Sequence, residues 1–112
     1  FTQEERMELI RRSTADIPQV EVDCYDGLLA EYARLHHADV IVKGLRAMSD
    51  FEYEFQMALT NRKLYPEAET VFLTTTAEHM YLSSSLVKQV AGFVPGCIIP
   101  DIMEKIRKGE DR

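Results

Sequence analysis

Hydrophobic and polar positions alternate along the chain in two periods, and the period switches several times. Met7, Ile10 and Arg11 give helical spacing with one apolar side. Thr2 and Glu5 form a capping-box pattern before them, so a helix is predicted from Thr2 to about Thr14. Ile17-Pro18 ends it. Val20, Val22 and Cys24 then alternate with charged residues, which predicts a strand. Asp26-Gly27 is turn chemistry. Leu28 to His37 reads as a helix with Leu28, Leu29, Tyr32 and Leu35 on its apolar side.

Ala38 to Val42 is the next strand. Its β-branched run Val40, Ile41 and Val42 predicts a strand covered on both faces. Lys43, Gly44 and Arg46 follow as a glycine turn carrying two cations. Ser49 or Asp50 is the N-cap of a helix that runs from Asp50 to about Tyr65, where Pro66 closes it. Phe51, Phe55 and Leu59 lie along one side of that helix and are assigned to the core. Asp50, Glu54 and Asn61 fall within roughly 40° of one another on another side. Thr70 to Leu73 is a further strand, Thr74 to Thr76 a polar segment at its C-terminal end, and Glu78 to Leu82 a loop or short turn. Ser83-Ser84-Ser85 opens a helix carrying Leu86, Val87, Val90 and Ala91, which Gly92 ends. Residues 94–100 read as extended or irregular, and Asp101 caps a last short helix through Ile106.

Helix and strand alternate throughout, which argues for parallel βαβ units. In open α/β sheets of this kind ligands sit at the C-terminal ends of the strands. Lys43, Gly44 and Arg46 fall at such an end, and the serine cluster opens a helix. Cations and a serine-capped helix N-terminus are both suited to phosphate. Taken singly, each has a plainer reading. Asp50 and Glu54 suit a solvated helix face, a serine suits an ordinary N-cap, and Leu29 suits ordinary core.

Composition narrows the classes. At 112 residues the chain is one domain at most. A net charge of −6 argues against general nucleic-acid binding, which needs a basic face. No run of about 18 apolar residues predicts a membrane helix, and FTQEERMELIRR lacks the apolar centre of a signal peptide. Cys24 and Cys97 stand far apart, which favours a reduced cytosolic setting with both as packing residues. His36, His37 and His79 have no spacing for a protein-built metal site. No G-x-S-x-G or P-loop pattern occurs, and there is no candidate covalent nucleophile.

Two blocks carry a resemblance. KGLRAMSDFEYEFQMALTNRKL followed by YLSSSLVKQVA is similar to the bacterial phosphopantetheine adenylyltransferases. Their pattern is R/K-G-L/I-R…D-F-E-Y-E…N and then S-S-S-x-V-K/R, and the resemblance covers nearly all of the chain. It implies an α/β, Rossmann-like nucleotidylyltransferase fold with a parallel sheet whose first two strands are missing here. Residues 1–112 would then be a single domain corresponding to the C-terminal two-thirds of the family domain. It implies transfer of an adenylyl group from ATP to 4′-phosphopantetheine, giving dephospho-coenzyme A and pyrophosphate.

The resemblance also implies site residues. Gly44, Leu45, Arg46 and Glu54 would serve ATP, with His79, Met80, Tyr81, Leu82, Ser83, Ser84 and Ser85 covering adenine and holding the triphosphate. Leu29 and Lys43 would meet phosphopantetheine, Lys43 standing where many relatives have arginine. Asp50, Asn61 and Lys88 would support them. Mg²⁺ would arrive with ATP. A cytoplasmic homohexamer inhibited by coenzyme A is the family expectation, with no nucleic-acid or membrane partner.

One family motif has no counterpart. No G-x-F-D-P-x-T-x-G-H stretch occurs, so this chain holds neither the motif histidine that stabilises the transition state nor the phosphate-binding lysine before FT-x-EER. The start at Phe1 reads as a truncated chain or an unobserved segment. Two other readings follow, a non-catalytic nucleotide-binding fragment and an α/β assembly module with an exposed sheet edge.

Overall fold

A computed structural model describes residues 1–46, 48–80 and 83–90. The elements in order are α1 (Gln3–Ser13), α2 (Leu29–Leu35), β1 (Val40–Leu45), α3 (Met48–Leu64), β2 (Glu69–Thr74), a 3₁₀ turn (Ala77–His79) and α4 (Ser84–Val90). Tyr81, Leu82, Cys97, Gly92 and the elements expected over residues 94–106 lie outside the described residues. Two compact units are present, Asp26–Leu82 and a second that holds Phe1–Tyr25 with the chain from Ser83. No helix among the described residues is long and apolar enough to cross a membrane.

The Asp26–Leu82 unit is a βαβ element with one added helix. β1 and β2 pair in parallel from Val40↔Glu69 to Leu45↔Thr74. Two further bonds extend the ladder, Glu69 N–H to the Asp39 carbonyl at 2.9 Å and Thr75 N–H to the Leu45 carbonyl at 3.0 Å. The expected βαβ connection is thus present, with both strands a little longer than their apolar runs. Ile41, Lys43, Leu45 and Phe72 point to the covered face of the sheet, where Phe51 of α3 meets Phe72 edge-on at 6.2 Å. The opposite face carries Val40, Val42, Val71 and Leu73, all exposed.

Three expectations are corrected in this unit. The β1 run is covered on one face, since α3 lies on that side and Val40 and Val42 remain open. Gly44 makes no turn. It lies inside β1 opposite Leu73, and a Cβ placed on it would meet nothing within 4 Å. The strand continues past Val42 because β2 offers ladder partners as far as Thr74. Neither Ser49 nor Asp50 is the N-cap, because α3 already begins at Met48. Asp50 instead places its charge in the first turn, near the positive end of the helix dipole.

The buried residues of this unit are small. Ala30 and Ala33 of α2 and Ala68 before β2 are buried, and Asn61 joins them at 6 % exposure. Leu28 and Leu35, expected on the covered side of α2, are exposed, as are Phe51, Phe55 and Leu59 of α3. Small side chains let two helices approach closely, so the contact of α2 with α3 selects the alanine face over the leucine face. Arg34 fastens the pair. Its guanidinium donates to the Leu64 carbonyl at the end of α3 and lies 5.6 Å from the centre of the Tyr65 ring. α2 ends in a Schellman motif, with Ala38 N–H on the Ala33 carbonyl and His37 N–H on the Arg34 carbonyl. His37 fills its left-handed position at φ 51°.

In the second unit α1 starts with the capping box expected from sequence. Glu5 N–H donates to Thr2 Oγ1 at 3.2 Å, and Thr2 N–H donates to Glu5 Oε2 at 2.7 Å. The chain then turns through Ile17 N–H to Thr14 O and Val20 N–H to Ile17 O. The strand expected over Val20, Val22 and Cys24 does not form. Alternation proposes a strand, but only a ladder partner makes one, and the sheet among the described residues has two strands, β1 and β2. Cys24 is exposed rather than packed, and Gln3 Nε2 donates to its Sγ. α4 starts at the serine cluster, with Leu86 N–H on Ser83 Oγ at 3.1 Å and Val87 N–H on the Ser83 carbonyl at 2.9 Å.

Candidate functional site at the C-terminal edge of the sheet

β1 and β2 end side by side at Leu45 and Thr74. Beyond them opens a cavity of about 520 Å³. Leu45 at the end of β1 and Arg46 just beyond it line it on one side, and Thr74 at the end of β2 and Thr75 just beyond it on the other. Phe51 of α3, Phe72 of β2 and Met80 complete its wall. Phe51 is held in place by two rings, Phe72 and Phe55, the latter stacked at 5.6 Å. The lining is largely apolar, with two threonines and one cation, as is usual for a small-ligand site.

The cations expected from sequence are each paired with a carboxylate of α3. Lys43 Nζ lies 3.6 Å from Glu54 Oε2, and Arg46 Nε lies 3.4 Å from Asp50 Oδ2. Asp50 and Glu54 are one turn apart on one face of α3. Lys43 reaches Glu54 from the covered face of β1, and Arg46, just past the end of β1, reaches Asp50 at the start of α3. The two pairs differ in cover. Glu54 Oε2 is shielded from solvent and accepts no hydrogen bond, while the Arg46 side chain is half exposed. Among the described residues no group of three or more His, Cys, Asp or Glu could hold a metal ion.

Of the residues singled out in the sequence, Leu45, Arg46 and Met80 meet at the cavity, with Asp50 on Arg46 and the Lys43–Glu54 pair beside it. Gly44 lies one residue before the rim. His79 sits in the 3₁₀ turn and is exposed. Asn61 is buried seven residues past Glu54, about 10 Å further along α3. Leu29 is half-buried at the start of α2. Tyr81 and Leu82 lie outside the described residues. Ser83, Ser84, Ser85 and Lys88 belong to the other unit, where Ser83 caps α4 and Lys88 Nζ lies 5.6 Å from the centre of the Phe1 ring.

Sequence reasoning missed Phe51, Phe72, Thr74 and Thr75 as wall residues. Phe51 reads as core because helical spacing does not distinguish a core face from a cavity wall. The threonines carried a usable signal, since they end a strand at the edge where α/β ligands bind.

Comparisons with known proteins agree with this architecture. The family described as cytidylyltransferase-like matches residues 1–90. A phosphopantetheine adenylyltransferase of Caldanaerobacter subterraneus subsp. tengcongensis is 56 % identical over 96 % of this chain and 72 % of its own length. One from Dictyoglomus turgidum is 52 % identical over 95 % of this chain and 68 % of its own, and one from Clostridium botulinum strain 657 is 54 % identical over 95 % and 69 %. With half its residues identical across nearly its whole length, and with the βαβ edge those residues build, the chain belongs to the phosphopantetheine adenylyltransferase family within the cytidylyltransferase-like fold.

Proposed function

We infer that the chain belongs to an enzyme that transfers the adenylyl group of ATP to 4′-phosphopantetheine, producing dephospho-coenzyme A and pyrophosphate on the route to coenzyme A. The observation that carries this is family membership at 56 % identity over 96 % of the chain, and the chain holds the KGLR and SSSLVK blocks. The reaction joins a phosphate oxygen of phosphopantetheine to the α-phosphorus of ATP and breaks the bond to pyrophosphate. The attacking group is already an anion, so no general base is needed. Catalysis is then positioning and stabilisation of the charge that develops on phosphate. A site with cations, amides and hydroxyls suits that demand.

Family membership supports the residue roles, and placement supports those at the cavity. Arg46 at the cavity rim supports a phosphate contact, and its planar fork suits a phosphate group. Phe51, Phe72 and Met80 offer the apolar wall that a base or an alkyl arm needs. Gly44 and Leu45 carry the backbone of the ATP rim, Glu54 serves the nucleotide, and Lys43, paired with Glu54, serves phosphopantetheine. Ser83, Ser84 and Ser85 open a helix whose amides suit the triphosphate, with His79 to Leu82 as the adenine cover. Leu29 serves the pantetheine arm, and Asn61 and Lys88 support the frame. Mg²⁺ carried by the triphosphate would supply neutralisation of phosphate charge there; the carboxylates of this edge, Glu54 and Asp50, are paired with Lys43 and Arg46. The same reading extends to residues 1–112 as part of one domain, to a cytoplasmic homohexamer and to inhibition by coenzyme A.

The test is pyrophosphate release from ATP and Mg²⁺ with and without 4′-phosphopantetheine. Release that depends on phosphopantetheine is the expected result. Release that ignores it, or that follows another phosphate acceptor equally well, overturns the assignment.

A further inference from the structure

The two ion pairs at the site edge differ in a way that bears on ligand binding. Lys43–Glu54 is the more covered pair, and its shielded Glu54 oxygen accepts no hydrogen bond. Arg46–Asp50 is open to solvent, with half of the Arg46 side chain and about a third of Asp50 exposed. Arg46 also lines the cavity. A guanidinium at a cavity rim with a carboxylate already on it has a resident counter-ion.

We propose that Asp50 is the resident counter-ion of Arg46 at the cavity rim, a charge partner that a polyphosphate displaces on binding. This rests on the reading of Arg46 as a phosphate contact and adds the counter-ion that a phosphate must displace and the selectivity that results. Exchanging one carboxylate for another singly charged anion gains nothing. A phosphate chain brings more charge and several acceptor oxygens, and so wins the exchange. Asp50 therefore biases the rim toward multiply charged phosphate ligands. Its place in the first turn of α3 keeps it there, because the helix dipole favours a carboxylate at that end whether or not Arg46 is engaged.

The experiment is calorimetric titration of wild type, Asp50→Asn and Asp50→Glu with inorganic pyrophosphate and, separately, with adenosine. Asp50→Asn removes the competing charge. It is expected to bind pyrophosphate about two- to five-fold more tightly, the range an exposed ion pair allows, with adenosine affinity unchanged. Asp50→Glu keeps the counter-ion and is expected to match wild type with both probes. Pyrophosphate affinity that is unchanged or weaker in Asp50→Asn overturns the proposal while leaving the Arg46 reading in place. Parallel loss of pyrophosphate and adenosine binding in that variant assigns Asp50 a merely structural role and also overturns it. A wild-type protein that binds neither probe removes the Arg46 reading and this proposal together.

Discussion

Lys43 of β1 and Glu54 of α3 face each other at 3.6 Å across the covered side of the sheet, and the Glu54 oxygen in that pair is shielded from solvent. The distance is an ion pair rather than a hydrogen bond. Removing the cation therefore leaves a shielded carboxylate oxygen with no compensation. Lys43→Met is expected to destabilise the fold by about 1–2 kcal/mol. Adding Glu54→Gln to it should recover part of that loss. Urea denaturation of the two single variants and the double variant measures this coupling. A Lys43→Met protein as stable as wild type would mean that Glu54 is solvated after all.

Arg46 offers charge at the cavity rim, so its loss should fall on the reaction more than on the fold. Arg46→Ala is expected to lower adenylyl transfer by on the order of 10²-fold, as removal of a preorganised charge contact can. Arg46→Lys should recover only part, because the ammonium lacks the planar fork. Steady-state rates with ATP and 4′-phosphopantetheine decide it, and a near-wild-type rate for Arg46→Ala rejects the role.

The serines of the SSSLVK block separate into two tasks. Ser83 Oγ accepts the Leu86 N–H and caps α4. Ser83→Ala is expected to cost about 1 kcal/mol of stability. Ser84, inside the first turn of α4, should leave thermal stability unchanged when replaced by alanine and lower transfer only mildly, since neighbouring amides remain. Melting curves and rates on both variants test the division. A larger loss of rate in Ser84→Ala than in Arg46→Ala would assign the hydroxyl the greater share.

His37 occupies the left-handed position that closes α2, at φ 51°. A side chain there costs about 1–2 kcal/mol, which glycine avoids. Glycine in turn gives back part of the gain by freeing the unfolded chain. His37→Gly is expected to raise stability by up to about 1 kcal/mol, seen as a higher melting temperature. A lower one would show that the imidazole makes a favourable contact in the native state.

Arg34 joins α2 to the end of α3 by donating to the Leu64 carbonyl and resting over Tyr65. That carbonyl has no partner within its own helix. Arg34→Ala is expected to cost about 1–2 kcal/mol, the range for a charge-assisted hydrogen bond with its stacking. Arg34→Lys should restore less than half, because an ammonium does not stack as a planar group does. Chemical denaturation gives both values, and an unchanged midpoint for Arg34→Ala would remove the link.

What the sequence determined by itself is local in origin or is written in motif. The capping box at Thr2 and Glu5 was readable, because both partners lie within one turn. So was the βαβ order around Val40 and Phe72, because period and length distinguish helix from strand. The KGLR and SSSLVK blocks pointed to a family because their residue types and separation occur together. What the tertiary structure decided depends on which segments meet. Val20, Val22 and Cys24 alternate like a strand and form none, since a strand needs a partner for its ladder. Gly44 looks like a turn and is a strand residue, because β2 runs on to Thr74 and supplies that partner. Phe51 looks like core and is a cavity wall, and α2 buries its alanines instead of its leucines, because burial is a property of the facing surface. The pairing of Lys43 with Glu54 and of Arg46 with Asp50 is of the same kind. Each charge was visible in the chain, but only the approach of α3 to the sheet set which carboxylate neutralises which cation.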